Sequence, residues 1–119
     1  MAKVLVVDDS PTELYQFKEI LEGLGHEVVT AKDGREGVEM AASELPHLVL
    51  MDIVMPDMNG FQATRKITRS AATSHIPVII VSSKDQETDK VWGERQGAKG
   101  YVTKPVNSQE LVKLISQLL

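Results

Sequence analysis

The sequence predicts an α/β protein in which five parallel strands alternate with five helices, stacked as a three-layer α/β/α sandwich. Two observations carry this prediction. Short apolar stretches recur along the chain: "KVLVVD" (3–8), "HEVVTA" (26–31), "HLVLMD" (47–52), "PVIIVS" (77–82) and "GYVT" (100–103). Between them, apolar residues fall at spacings of three and four, the period of a helix that buries one face. Strict alternation with short connections gives a parallel sheet with right-handed crossovers.

The elements follow in order. The runs at 4–7, 48–51 and 78–81 are continuous and rich in β-branched residues, as in strands covered on both faces. "HEVVTA" is more polar and is expected nearer a sheet edge. The first helix is announced by "SPTE" (10–13), with Ser10 as N-cap, Pro11 at the first helical position and Glu13 closing a capping box. "DGRE" (33–36) and "NSQE" (107–110) repeat the pattern with Asp33 and Asn107. The four well-patterned helices offer the core Leu14, Phe17, Leu21 and Leu24; Val38, Ala41, Ala42 and Leu45; Phe61, Thr64, Ile67 and Ala71; and Leu111, Leu114, Ile115 and Leu118. The stretch from Lys84 to Ala98 has only Val91 and Trp92 as sizeable apolar residues and carries Gly93 inside. Interior glycine costs a helix about 1 kcal/mol relative to alanine, so this helix is expected to be short or frayed.

Size and composition bound the function. The 119 residues suit one domain spanning 1–119, and 42% hydrophobic with 25% charged residues is ordinary for a globular chain. No cysteine is present, which excludes disulfide and thiolate chemistry. The N-terminal apolar run is too short for a signal peptide or membrane span, so a cytoplasmic location without membrane insertion is the expectation. A net charge of −4 argues against nucleic acid as a partner.

The chemistry concentrates at the strand ends. In a parallel sheet all carboxyl ends share one edge, where ligands bind. There the first strand delivers Asp8 and Asp9, the third Asp52, the fourth Ser82 and Ser83, and the fifth Thr103 and Lys104. Taken singly, these are ordinary loop or cap residues; their convergence is what signifies. Clustered carboxylates repel unless a cation compensates. Mg²⁺ does so with one or two carboxylates, waters and a substrate phosphate. The lysine supplies a point charge for an anion beside the metal. A metal, a lysine, a hydroxyl and a nucleophilic carboxylate are the parts of a phosphoryl-transfer site.

With "VLVVDDS", "LVLMDIVMPDMNG", "IPVIIVSS" and "GAKGYVTKP" in this order, the chain resembles the CheY-like receiver domains of two-component response regulators. The detail of "VMPDMNGFQATR" and "IPVIIVSSKDQETDKVWGERQGA" is most similar to PilH-type single-domain regulators of type IV pilus chemosensory systems. The resemblance implies a flavodoxin-like (βα)5 fold with strand order 2-1-3-4-5. It implies Asp52 as phosphoacceptor, with Mg²⁺ held by Asp8, Asp9, Asp52 and the backbone carbonyl of Val54, Asp8 largely through water. Lys104 would pair with the phosphoryl group, and a cis bond would join it to Pro105. Ser82 would be the switch hydroxyl, a place where threonine is also common, and Tyr101 the aromatic switch residue. Val54 and Lys84 would flank the path of attacking water. An aliphatic Val54 cannot position that water, which suggests slow or moderate self-dephosphorylation. Trp92 would either pack on the sheet or serve as a partly exposed partner anchor.

The implied partners are a histidine kinase or its phosphotransfer domain and a downstream protein target. The only catalysis implied is the chain's own phosphorylation and dephosphorylation. The last helix ends the sequence at Leu119, which fits output by protein contact or a phosphate sink rather than DNA regulation. Three other functions fit the sequence less well. A Mg²⁺-dependent phosphatase or phosphotransferase would place Asp-x-Asp after the first strand, where this chain has "DDS". A phosphate-independent binding module would not need the full acid set with Ser82 and Lys104. A flavin carrier would meet two acids where it needs a phosphate-binding loop. The three histidines are dispersed, and Met51, Met55 and Met58 read as gap-fillers.

Overall fold

The computed structural model describes all 119 residues. Its elements are β1 (Lys3–Val7), α1 (Pro11–Gly23), β2 (Glu27–Ala31), α2 (Gly34–Glu44), β3 (Leu48–Met51), α3 (Gly60–Arg69), β4 (Val78–Ser82), α4 (Glu87–Arg95), β5 (Gly100–Thr103) and α5 (Ser108–Leu118). All strands pair in parallel, in the order β2-β1-β3-β4-β5. The more polar β2 is an edge strand, as its composition predicts.

Strand pleating sorts the apolar residues onto two faces. Val4, Val6, Leu48, Leu50, Ile79, Val81 and Val102 pack with Phe17 and Leu21 of α1 and Leu111 and Ile115 of α5. On the other face, Leu5, Val7, Val49, Met51 and Val78 pack with Ala41 of α2 and Ala63 and Ile67 of α3. Every residue of β3 and β4 is buried, which accounts for their unbroken apolar sequence. No helix is long and apolar enough to cross a membrane.

Several helix-face expectations are corrected. Leu24 and Leu45 are exposed because each is the C-cap of its helix, Leu45 with φ 45°. Ala42 is exposed, and α2 instead buries Gly34 and Gly37, which let it approach closely: a Cβ on Gly37 would lie 2.8 Å from a Val7 methyl. Ala71 lies beyond the end of α3 and is exposed, whereas Ala63 is buried. α4 is short, at nine residues, and its Gly93 is buried, with its missing Cβ only 2.8 Å from Ile80 Cδ1. The glycine that weakens α4 as a helix thus lets it lie close to β4. Val91 and Trp92 turn outward, so Trp92 does not pack into the sheet.

Candidate functional site

Register brings the acids together. Val7 of β1 is the partner of Met51 of β3, so the next residues, Asp8 and Asp52, leave the sheet side by side. The Asp52 N–H donates to the Val7 carbonyl at 2.9 Å, and the Asp8 N–H donates to the Ala31 carbonyl at 3.1 Å. Carboxylate oxygens of Asp8, Asp9 and Asp52 lie within 4.8 Å of one another. Asp8 and Asp52 are buried and Asp9 is exposed. On the opposite flank, Ser82 pairs with Thr103, and the Lys104 N–H donates to the Ser82 carbonyl at 2.8 Å. The Lys104–Pro105 bond is cis.

Lys104 reaches back across the sheet edge. Its ammonium donates to Asp8 Oδ2 at 3.1 Å, Asp52 Oδ1 at 3.0 Å and Glu13 Oε2 at 2.9 Å. Glu13 was expected to cap α1, but its side chain does something else. Asp8 Oδ1 accepts the Ser10 N–H at 2.9 Å, the bond a capping-box glutamate would have taken. Ser10 still caps the helix by accepting the Glu13 N–H at 3.3 Å. The Glu13 carboxylate is thereby free for Lys104. The sequence signal was present: α1 starts next to the acid pair, so a first-turn acid falls at the same edge.

The electrostatics are those of an anionic pocket that one lysine does not neutralise. Burial pushes the Asp8 carboxyl up to about 6; the Ser10 N–H and Lys104 oppose the rise, and the Asp52 charge adds to it. Burial also raises Asp52, against the hydrogen bond and charge of Lys104 and with the help of the Glu13 charge. Burial works to lower Lys104, but Glu13, Asp52 and Asp8 outweigh it and hold the ammonium above its usual range. Carboxyls left above their ordinary range beside a bound lysine still favour further positive charge. The all-oxygen donor set fits a hard divalent cation such as Mg²⁺.

The remaining predicted residues surround this centre. Ser82 is buried, and its Oγ accepts the Lys84 N–H at 3.1 Å. The Tyr101 hydroxyl donates to the Lys84 carbonyl at 2.6 Å, and burial is the main reason its phenol is raised. The Lys84 backbone therefore links Ser82 to Tyr101, while the Lys84 side chain is exposed. Val54 is 60% exposed in the loop after Asp52, and Pro105 is exposed. Trp92 lies on α4, on the surface and outside the acid cluster.

Gly60 is a second residue whose importance sequence reasoning missed. A Cβ there would stand 1.9 Å from the Asp52 carbonyl oxygen, and the Gly60 N–H donates to the Ile53 carbonyl at 2.8 Å. It folds the loop after β3 tightly under Asp52. His26 and His47 have structural roles at the start of the first strand, their Nδ1 atoms accepting the N–H groups of Ala2, just before it, and Lys3 at 3.1 and 2.9 Å.

Comparison with known proteins agrees with this arrangement. Residues 4–116 match the response regulator receiver domain. The chain is 60% identical over 119 residues to Protein PilH of Pseudomonas aeruginosa, covering all of this chain and 98% of that protein. It is 37% identical over 113 residues to Protein PilG of the same organism, covering 95% of this chain and 84% of that one. The structure of the Vibrio cholerae chemotaxis protein CheY4 superposes with a TM-score of 0.93 at 32% identity, over 100% of this chain and 99% of the other. With its fold, its matched residues and its acid-lysine edge in agreement, the chain belongs to the response regulator receiver domain family.

Proposed function

We propose that this receiver domain accepts a phosphoryl group on Asp52 from a histidine kinase or its phosphotransfer domain. The observation that carries the reading is the Lys104 ammonium bonded at 3.0 Å to Asp52, beside two further carboxylates at the same sheet edge. An Asp52 oxygen attacks phosphorus, the bond from phosphorus to the donor histidine breaks, and its electron pair stays on the imidazole nitrogen. Lys104 orients the Asp52 carboxylate before transfer and donates to a phosphoryl oxygen after it. Asp8, Asp9, Asp52 and the Val54 carbonyl would hold Mg²⁺. When bound, the ion supplies charge neutralisation for the transferred phosphoryl oxygens.

Ser82 then donates its hydroxyl to the phosphoryl group and gives up the bond it accepts from Lys84. Because the same Lys84 backbone holds Tyr101, the change reaches the tyrosine and the α4-β5-α5 surface. That surface, with Trp92 exposed upon it, is the docking face for a downstream protein. The protein acts in the cytoplasm as a signalling module whose only turnover is its own phosphorylation and dephosphorylation. The 60% identity to Protein PilH supports a place in a type IV pilus chemosensory system, as a motility regulator or phosphate sink.

The test is intact-mass measurement after incubation with a small-molecule phosphodonor, with and without Mg²⁺. The wild type is expected to gain one Mg²⁺-dependent phosphoryl adduct and Asp52→Ala none. A folded wild type that gains no adduct at any time point favours a phosphate-independent binding module instead.

A further inference from the structure

We propose that Glu13 is the exchangeable partner of Lys104, holding the ammonium until a phosphoryl group displaces it and thereby restraining phosphorylation. The inference rests on Asp52 being the acceptor. An ammonium has three N–H donors. All are committed here, to Asp8, Glu13 and Asp52 at 3.1, 2.9 and 3.0 Å. Lys104 can bond a phosphoryl oxygen fully only by releasing one of them.

The three partners are not equally able to let go. The Asp8 side chain is 2% exposed, so releasing it would leave a buried carboxylate unpaired, while Asp52, 9% exposed, is the reacting group itself and keeps its Oδ1 beside the ammonium. Glu13 is 33% exposed and stands on α1, so water can replace the lysine at little cost. It also makes the shortest of the three contacts and lies outside the group of carboxylates close enough to share a cation. Its helix does not need the side chain, because Ser10 and Asp8 satisfy the first turn. The Lys104–Glu13 bond is therefore made in the resting protein and lost in the phosphorylated one. Removing it destabilises only the resting state. Glu13 is a positioning residue: it acts on the acceptor through Lys104.

Two variants separate this from a general effect of negative charge. Glu13→Gln removes the charge and leaves a weaker acceptor. Glu13→Asp keeps the charge, and keeps an acid in the first helical turn, but withdraws the carboxylate by one methylene. Phosphorylation rates would be measured for all three proteins with acetyl phosphate and with phosphoramidate, which differ in charge, at two salt concentrations. Thermal unfolding and Mg²⁺ titration by calorimetry accompany the rates. Both variants are expected to be phosphorylated about twofold to fivefold faster than wild type with either donor, to stay folded with a slightly lower melting temperature, and to keep the wild-type Mg²⁺ affinity. Rates equal to or slower than wild type overturn the proposal while leaving Asp52 as acceptor. So does a fast Glu13→Gln beside a wild-type-like Glu13→Asp, which would reveal simple repulsion of the donor. A wild type that takes no phosphoryl group overturns both readings.

Discussion

Replacing Asp8 with asparagine should make the metal-free protein more stable at neutral pH. Asp8 is 2% exposed and its carboxyl is raised from 3.8 to about 6, chiefly by burial. At about 1.4 kcal/mol per pH unit, keeping it ionised at pH 7.5 costs the fold roughly 3 kcal/mol. The asparagine carbonyl can still accept the Ser10 N–H, but Lys104 loses one acceptor, a contact of about 1.5 kcal/mol. The expected net gain lies between about 1.5 and 3 kcal/mol. Between pH 3.8 and about 6 the folded protein holds a proton at Asp8 that the unfolded chain has released. Stability from this group is therefore full below that window and is lost as pH rises through it. The advantage of the variant should accordingly shrink toward zero as pH falls from 7 to 4. Urea unfolding of both proteins in chelator, across that range, measures it. A variant less stable than wild type at pH 7.5, or a gain independent of pH, would refute the assignment of Asp8 as an ionised group held at a cost for function.

Three further outcomes follow from single positions. Gly60→Ala forces a Cβ to 1.9 Å from the Asp52 carbonyl oxygen, so denaturant unfolding should show a loss of ~3 kcal/mol and the acceptor loop should be displaced. Thr64 is fully buried with no partner for its hydroxyl, so Thr64→Val should be neutral or stabilising by about 1 kcal/mol in the same assay. Val54 is exposed beside the acceptor and cannot position water, so Val54→Asn should accelerate loss of the phosphoryl group several-fold, read as decay of the intact-mass adduct.

What the sequence made legible was whatever a local pattern controls. Burial on both faces wrote continuous apolar runs into β1, β3 and β4, and parallel topology then required Asp8, Asp52, Ser82 and Lys104 to share an edge. Helix starts at Ser10, Asp33 and Asn107 were equally local, since each side chain accepts an N–H three residues on. Facts depending on tertiary competition were not legible. Glu13 matched a capping box until Asp8 took the Ser10 N–H, a bond set by where β1 stops relative to α1. Gly93 read as a defect because helix propensity says nothing of the distance between α4 and Ile80. Leu24 and Leu45 fit the helical period, yet both lie at the C-cap, where the backbone departs from the helix.

Every functional step proposed for this protein runs through phosphorylation of Asp52. The most direct test is borohydride reduction of the phosphodonor-treated protein, which converts an aspartyl phosphate to homoserine, followed by peptide sequencing in the mass spectrometer. Homoserine is expected at position 52 alone, formed only when Mg²⁺ is supplied. Homoserine at position 8 or 9, or modification independent of Mg²⁺, would contradict it.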